Sequence, residues 1–181
     1  VRGDWAVRAY CDTCGTERDC HIVLRDETYP VRGERVTVRA KVLICNVCGT
    51  DLFDVALDER NVELAFREYR RRRGLVSKDD IIRTRAMHNL SQEGLATLLG
   101  WSSDTVERYE LGALPSAPHS EQLRRFRDDL NYAKELFDAR NAQLGTLERL
   151  RVGKQLERLS VTSKHQDQDF DPGWLLVTYS T

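Results

Sequence analysis

The chain has 181 residues, 40% of them apolar and 31% charged, with a formal net charge of −1. That is room for one domain or two small ones with a folded core, and the near-neutral balance excludes a protein that coats nucleic acid by bulk charge. No run approaches the roughly 20 apolar residues of a membrane span, and no charged-then-apolar signal peptide opens the chain, so the expected compartment is the cytoplasm.

Residues 1–10 carry no signal. Then comes Cys11-Asp-Thr-Cys14-Gly15 and, thirty residues on, Cys45-Asn-Val-Cys48-Gly49. Each Cys-x-x-Cys pair brings two thiolates to one ion from a tight turn, and the glycine takes the positive φ that continues it. Two such knuckles supply four soft ligands, which suits tetrahedral Zn(2+) in a structural role. A redox pair would be single and lie beside a βαβ pattern, and disulfides would need an oxidising compartment that nothing announces. Cys20 and His21 are left over: Cys20 reads as a small buried side chain and His21 as a surface one. With four cysteines the site is closed, so catalytic zinc is not expected. Between the knuckles, His21-Ile-Val-Leu24 is β-prone, and Val36, Val38, Ala40, Val42 and Ile44 alternate with polar residues. Arg32-Gly33-Glu34 can turn between the two runs. The pattern predicts a zinc ribbon, a sheet too thin to fold on its own core.

Leu57 to Arg73 has helical spacing, with Val62, Ala65, Phe66 and Tyr69 on one stripe and Gly74 at the end. Residues 67–85 carry Arg67, Arg70, Arg71, Arg72, Arg73, Lys78, Arg83 and Arg85 against Glu68, Asp79 and Asp80. Such a run can contact phosphate, although arginines at a helix C-terminus also suit the helix dipole. Ser77 can cap the next helix, which Ile81, Ile82, Arg85 and Ala86 follow.

The segment 90–110 reads as a helix-turn-helix. Ser91 is an N-cap, Gln92 and Glu93 sit in the first turn, and Leu95, Ala96, Leu98 and Leu99 make an apolar face that Gly100 closes. Ser102 or Ser103 caps a second helix through Tyr109 with Val106 and Tyr109 inward. Ser103, Asp104, Thr105 and Arg108 then face outward to a major groove. The candidate DNA contacts are therefore Ser102, Ser103, Asp104, Thr105 and Arg108, with Arg71, Arg72 and Arg73 beside them. Leu111 to Pro118 reads as a loop, and a helix is expected from Ser120 with Leu123, Phe126 and Leu130.

At this point the residues resemble a known family. The two knuckles at their separation, Tyr29-Pro-Val-Arg-Gly-Glu34, Leu90-Ser-Gln92, Arg108-Tyr-Glu-x-Gly112 and the Pro-containing loop are similar to MqsA-type antitoxins, which join a zinc ribbon to a Xre/Cro-like helix-turn-helix. The resemblance covers residues 11–130. It implies a bacterial toxin–antitoxin pair in which the ribbon helps bind a toxin, often an RNA-cleaving enzyme. It also implies that a helix-turn-helix homodimer represses its own operon at a palindromic operator. It makes Cys11, Cys14, Cys45 and Cys48 zinc ligands and Arg108 a base reader, suited to guanine O6 and N7. Asp104 stands where the family has a base-contacting asparagine, and a carboxylate there accepts from cytosine N4 but cannot donate to adenine. Gln92 becomes a phosphate or base-edge contact by analogy. The alternative is a stand-alone zinc-containing helix-turn-helix regulator. An enzyme is not expected, since no Ser/His/Asp or His-Glu-x-x-His arrangement occurs.

Beyond Ser120, Leu123, Leu130, Phe137 and Leu144 recur at sevens, with Phe126, Ala133 and Leu147 as a second row that Arg140 interrupts. Gly145 and Gly153 weaken one long helix. The stripe either pairs two chains or folds back on its own domain. Val161 to Asp171 is polar and expected to be mobile, and Trp174 to Tyr179 is apolar enough to dock. The expected fold is α+β: zinc ribbon (1–56), helical linker (57–76), helix-turn-helix domain (77–131), helical extension (132–160) and tail (161–181).

Overall fold

A computed structural model describes residues 7–168, with side chains to residue 161. Strands β1 (Val7–Cys11), β2 (Thr16–Val31), β3 (Glu34–Cys45) and β4 (Asp51–Leu52) precede helices α1 (Val55–Arg73), α2 (Lys78–Met87), α3 (Gln92–Leu99), α4 (Ser103–Glu110), α5 (Ala117–Asp128), α6 (Leu130–Arg140) and α7 (Thr146–Gln168). The fold is α+β, and the chain divides into two compact units between Gly74 and Leu75.

In the first unit the strands form one antiparallel sheet in the order β1-β2-β3-β4. The short β-prone run at His21 belongs to a 16-residue strand, because polar residues alternate on from it with no Gly or Pro before Pro30 at the strand's end. Arg32 and Gly33, both at positive φ, form the two-residue turn into β3, the backbone that matches strand twist in a tight hairpin. The expected alternation along β3 holds at Val36 and Ala40 and then changes parity, so that Leu43 and Cys45 are buried instead of Val42 and Ile44. From Leu43 on, β4 joins the sheet and the cysteines become the buried centre.

Helix α1 starts at Asp54, whose carboxylate accepts from the Leu57 amide, and ends at Gly74 in the left-handed conformation. Its buried row is Asn61, Ala65 and Tyr69, while Val62 is 40% exposed, so the helix is turned from the expected stripe. The cause is β3. Beyond β4 no strand among the described residues covers its edge, and the Asn61 amide takes that place, accepting from Lys41 N at 3.0 Å and donating to Lys41 O at 2.8 Å. The helix expected as a linker is thus packed on the sheet. Asn61→Ala should cost the unit about 1–2 kcal/mol, since two part-buried backbone groups of Lys41 lose their partner; urea unfolding of this variant beside Val62→Ala checks it, and equal costs would refute the edge role.

In the second unit the predicted caps are in place. Ser77 and Asp80 form a reciprocal capping box at α2, Ser91 accepts from Gly94 N at α3, Gly100 closes α3 in the left-handed region, and Ser102 caps α4. The next helix begins earlier than expected, at Ala117 with Ser116 as its cap. Pro118 lies in its first turn, where no amide is needed. Ser120, expected near the start, is buried inside α5 and accepts from Val76 N at 3.4 Å. Asp129 ends α5 and caps α6, so the residues at sevens do not share one helix. Ala133, Leu144, Val152 and Leu156 are buried in one core with Ile81, Leu95, Leu98, Val106 and Phe126. The stripe folds back on its own unit, while Leu147 falls outside it at 77% exposure. Gly153 does not break α7; the Phe137 ring lies 3.5 Å from where a Cβ would stand. The region expected as a mobile tail from Val161 is helical to Gln168, and Trp174 to Tyr179 lie outside the described residues.

Candidate metal centre and nucleic-acid interface

The first site lies at the knuckle end of the sheet. In the first knuckle, Cys14 N and Gly15 N both donate to Cys11 O, at 3.1 and 2.8 Å. In the second, Gly49 N donates to Cys45 O at 3.0 Å and Val47 N to Cys45 Sγ at 3.4 Å. Gly15 and Gly49 take φ of 64° and 74°, the region that favours glycine. The sulfurs of Cys11, Cys14, Cys45 and Cys48 all lie within 4.8 Å of one another, and Cys11 and Cys48 are 3.5 Å apart. A tetrahedron with bonds of about 2.3 Å has edges of about 3.8 Å, so the four fit around one metal ion.

Electrostatics favour a cation there. The Cys48 side chain beside it, ahead of burial, pushes the Cys14 thiol up to about 12, while the Thr50 hydroxyl holds Cys48 down at about 6. Four sulfurs so close are stable together as thiolates only around a positive ion. Cys20 and His21 stay out of the cluster, as expected. Cys20 is fully buried and donates to Arg18 O at 3.3 Å, and His21 pairs with Asn46 Oδ1 at 2.5 Å.

The second site is the α3–turn–α4 motif. Val106 and Tyr109 face the core, and Ser103, Asp104 and Arg108 are exposed on the opposite side of α4. Among the described residues Arg108 has no ion-pair partner. Ser102 and Thr105 serve the cap: the Ser102 hydroxyl accepts from Thr105 N at 3.2 Å and pairs with the Thr105 hydroxyl at 2.8 Å. Gln92 is also engaged, its Nε2 donating to Glu110 Oε2 at 2.7 Å while Arg85 grips the same carboxylate at 2.8 and 3.2 Å. Burial works to raise the Glu110 pKa, and Arg85 and Gln92 outweigh it, leaving it lowered.

Residues with no local sequence signal hold this geometry. The Trp101 indole stacks on His119 at 4.4 Å and donates to Gln122 Oε1 at 2.9 Å; Gln122 in turn donates to Leu99 O, and His119 meets the Tyr109 hydroxyl at 2.8 Å. These contacts join the turn to α5 and fix how α4 is presented. The basic run is split between the units, and its arginines through Arg73 belong to the first: Arg71 and Arg72 both pair with Glu68 at 2.8 Å, pulling its carboxyl down to about 2, and Arg73 pairs with Glu34. All three arginines are largely exposed, and exposed pairs of this kind add little stability.

Fold and sites together define a class: a cysteine-clustered sheet joined in one chain to a helix-turn-helix. Residues 9–135, more than two-thirds of the chain, match the family described as the antitoxin component of a bacterial toxin–antitoxin system, MqsA, and the chain belongs to that family. No curated protein matches the chain. Among the described residues no helix is long and apolar enough to cross a membrane.

Proposed function

We propose that this protein is a cytoplasmic bacterial antitoxin that neutralises a cognate toxin and, as a homodimer, represses its own operon at a palindromic operator. Family membership over residues 9–135 carries the antitoxin reading. The exposed outer face of α4 carries the DNA one. Cys11, Cys14, Cys45 and Cys48 hold a structural zinc, with no coordination position left for substrate. Arg108 and Asp104 read bases, Ser103 and Thr105 flank them, and Ser102 and Gln92 contact the duplex through whatever hydrogen-bonding capacity their internal partners leave. Arg71, Arg72 and Arg73 supply phosphate contacts by exchanging carboxylate for phosphate. The ribbon of residues 1–56 offers the toxin-binding surface, the helix of 57–76 supports it, residues 77–131 form the reader, and residues 132–160 brace it.

The test is co-expression with the adjacent gene: the two products should co-purify, and the full chain should rescue growth from the toxin. Retained toxicity with no complex would leave only a stand-alone regulator. For the reader, Arg108→Ala should weaken operator binding by roughly 1–3 kcal/mol and relax base preference at one position. Unchanged affinity and preference in a titration against base-substituted duplexes would show that α4 is not the reading helix.

A further inference from the structure

Helix α7 lies beyond the family match, which stops at residue 135, and its first turn reaches the start of α3. Glu148 Oε1 accepts the Ser91 amide at 2.6 Å. The carboxylate closes against the helix itself, because a Cβ at Gly94 would overlap it. Gly94 is buried within α3 and has a helical backbone, so its conformation does not require glycine. Glycine weakens a helix interior, and what its absent side chain provides here is room for the Glu148 carboxylate. At the other end of α3, Arg140 donates to Leu98 O at 2.5 Å and lies over Gly100. The extension therefore grips α3 at both ends, acid on the positive end and base on the negative end of its dipole.

The two contacts differ in what DNA would do to them. A helix N-terminus, with its free amides and positive dipole end, is a natural seat for phosphate. When a helix-turn-helix docks, its first helix crosses the DNA backbone. The anion expected at the Ser91 end of α3 in a complex is thus a backbone phosphate, and that place is filled by a carboxylate of the same chain. Two anions cannot share it. Arg140, at the far end, repels nothing.

We propose that Glu148 is an intramolecular stand-in for a DNA phosphate, by which the segment beyond residue 135 restrains binding to the operator. The proposal rests on the DNA-reading function above. It is tested with the full chain, Glu148→Gln, Glu157→Gln and Arg108→Ala, each titrated against a labelled duplex of its own promoter over a salt series, with a thermal melt of each variant. Glutamine keeps an acceptor for the Ser91 amide and removes the charge. Glu148→Gln should tighten binding about five-fold at low salt, with the gain shrinking as salt rises. Glu157→Gln makes the same change of net charge at an exposed position of the same helix and should change affinity less than about two-fold. Equal tightening by both variants, or none by Glu148→Gln while Arg108→Ala weakens binding, overturns the stand-in and leaves the reader intact. If Arg108→Ala has no effect, the reader falls, and this proposal with it.

Discussion

Stripping the proposed zinc from the full chain is expected to unfold the sheet unit while the helical unit keeps its structure. Among the described residues, the apolar side chains buried in the first unit are those of Val31, Val36, Ala40, Leu43, Ala65 and Tyr69, with Cys11, Cys20 and Cys45 beside them. That is a thin core, and two of those cysteines belong to the cluster. Structural zinc contributes about 10–16 kcal/mol to folding at neutral pH, against a total stability of about 5–15 kcal/mol for an ordinary domain. Removing the ion therefore exceeds what the remaining contacts of β1 to β4 can offset. The second unit has its own cluster from Val76 to Leu156 and no share in the site. Amide exchange along β3 and along α3 and α4 separates the two outcomes. After verified metal removal, β3 should lose protection and α3 should keep it, and Cys11→Ser should reproduce the pattern without chelator. Protection along β3 that survives in both preparations would show that the cluster is not what folds the ribbon.

How far these features could be read beforehand depended on distance along the chain. The knuckles, the caps at Ser77, Ser91 and Ser102, and the helix ends at Gly74 and Gly100 are local devices, each set by a few neighbouring residues, and each appears where the residue order placed it. The misplaced start of α5 is also local, since a cluster of Pro and Ser signals either a loop or a capped first turn with the same residues. Asn61 is another matter. A polar residue on a helix invites the reading of a solvated face, and only the bare edge of β3, 20 residues away, makes it the buried one. The grip on α3 was invisible for the same reason: Glu148 meets Ser91 across 57 residues, and Arg140 looked like an interruption of an apolar row when its role is to meet a helix end. The residues at sevens were real apolar positions, but the break at Asp129 and the return of α7 turned a stripe that fits a partner chain into part of the unit's own core.

Against that core lies a buried imidazole, and acid should find it. His88 is 1% exposed, packs against the Phe126 ring at 4.6 Å, and has no well-aligned hydrogen bond from either ring nitrogen among the described residues. Burial holds its pKa down to about 4, with the nearby Phe126 backbone a weaker influence the other way. Because the folded pKa lies below the ordinary value of 6.5, the unfolded chain takes up the proton first as pH falls. The stability tied to the neutral ring is complete above about pH 6.5 and declines by about 1.4 kcal/mol per pH unit toward pH 4, where the loss levels off. Between pH 7 and 4.5 the helical unit should lose about 2–3 kcal/mol. His119, also lowered by burial, adds in the same direction, whereas Asp80 and Glu110, whose pKa values are lowered, lose their contribution at more acid pH. Urea unfolding followed by Trp101 fluorescence, with Trp5 and Trp174 replaced by Phe, isolates this unit from the ribbon. His88→Leu, which fills the site without a proton to gain, should flatten most of the slope and leave the variant more stable than its parent at pH 4.5. A slope unchanged by His88→Leu but removed by His119→Gln would move the acid sensitivity from the core to the turn beside Trp101.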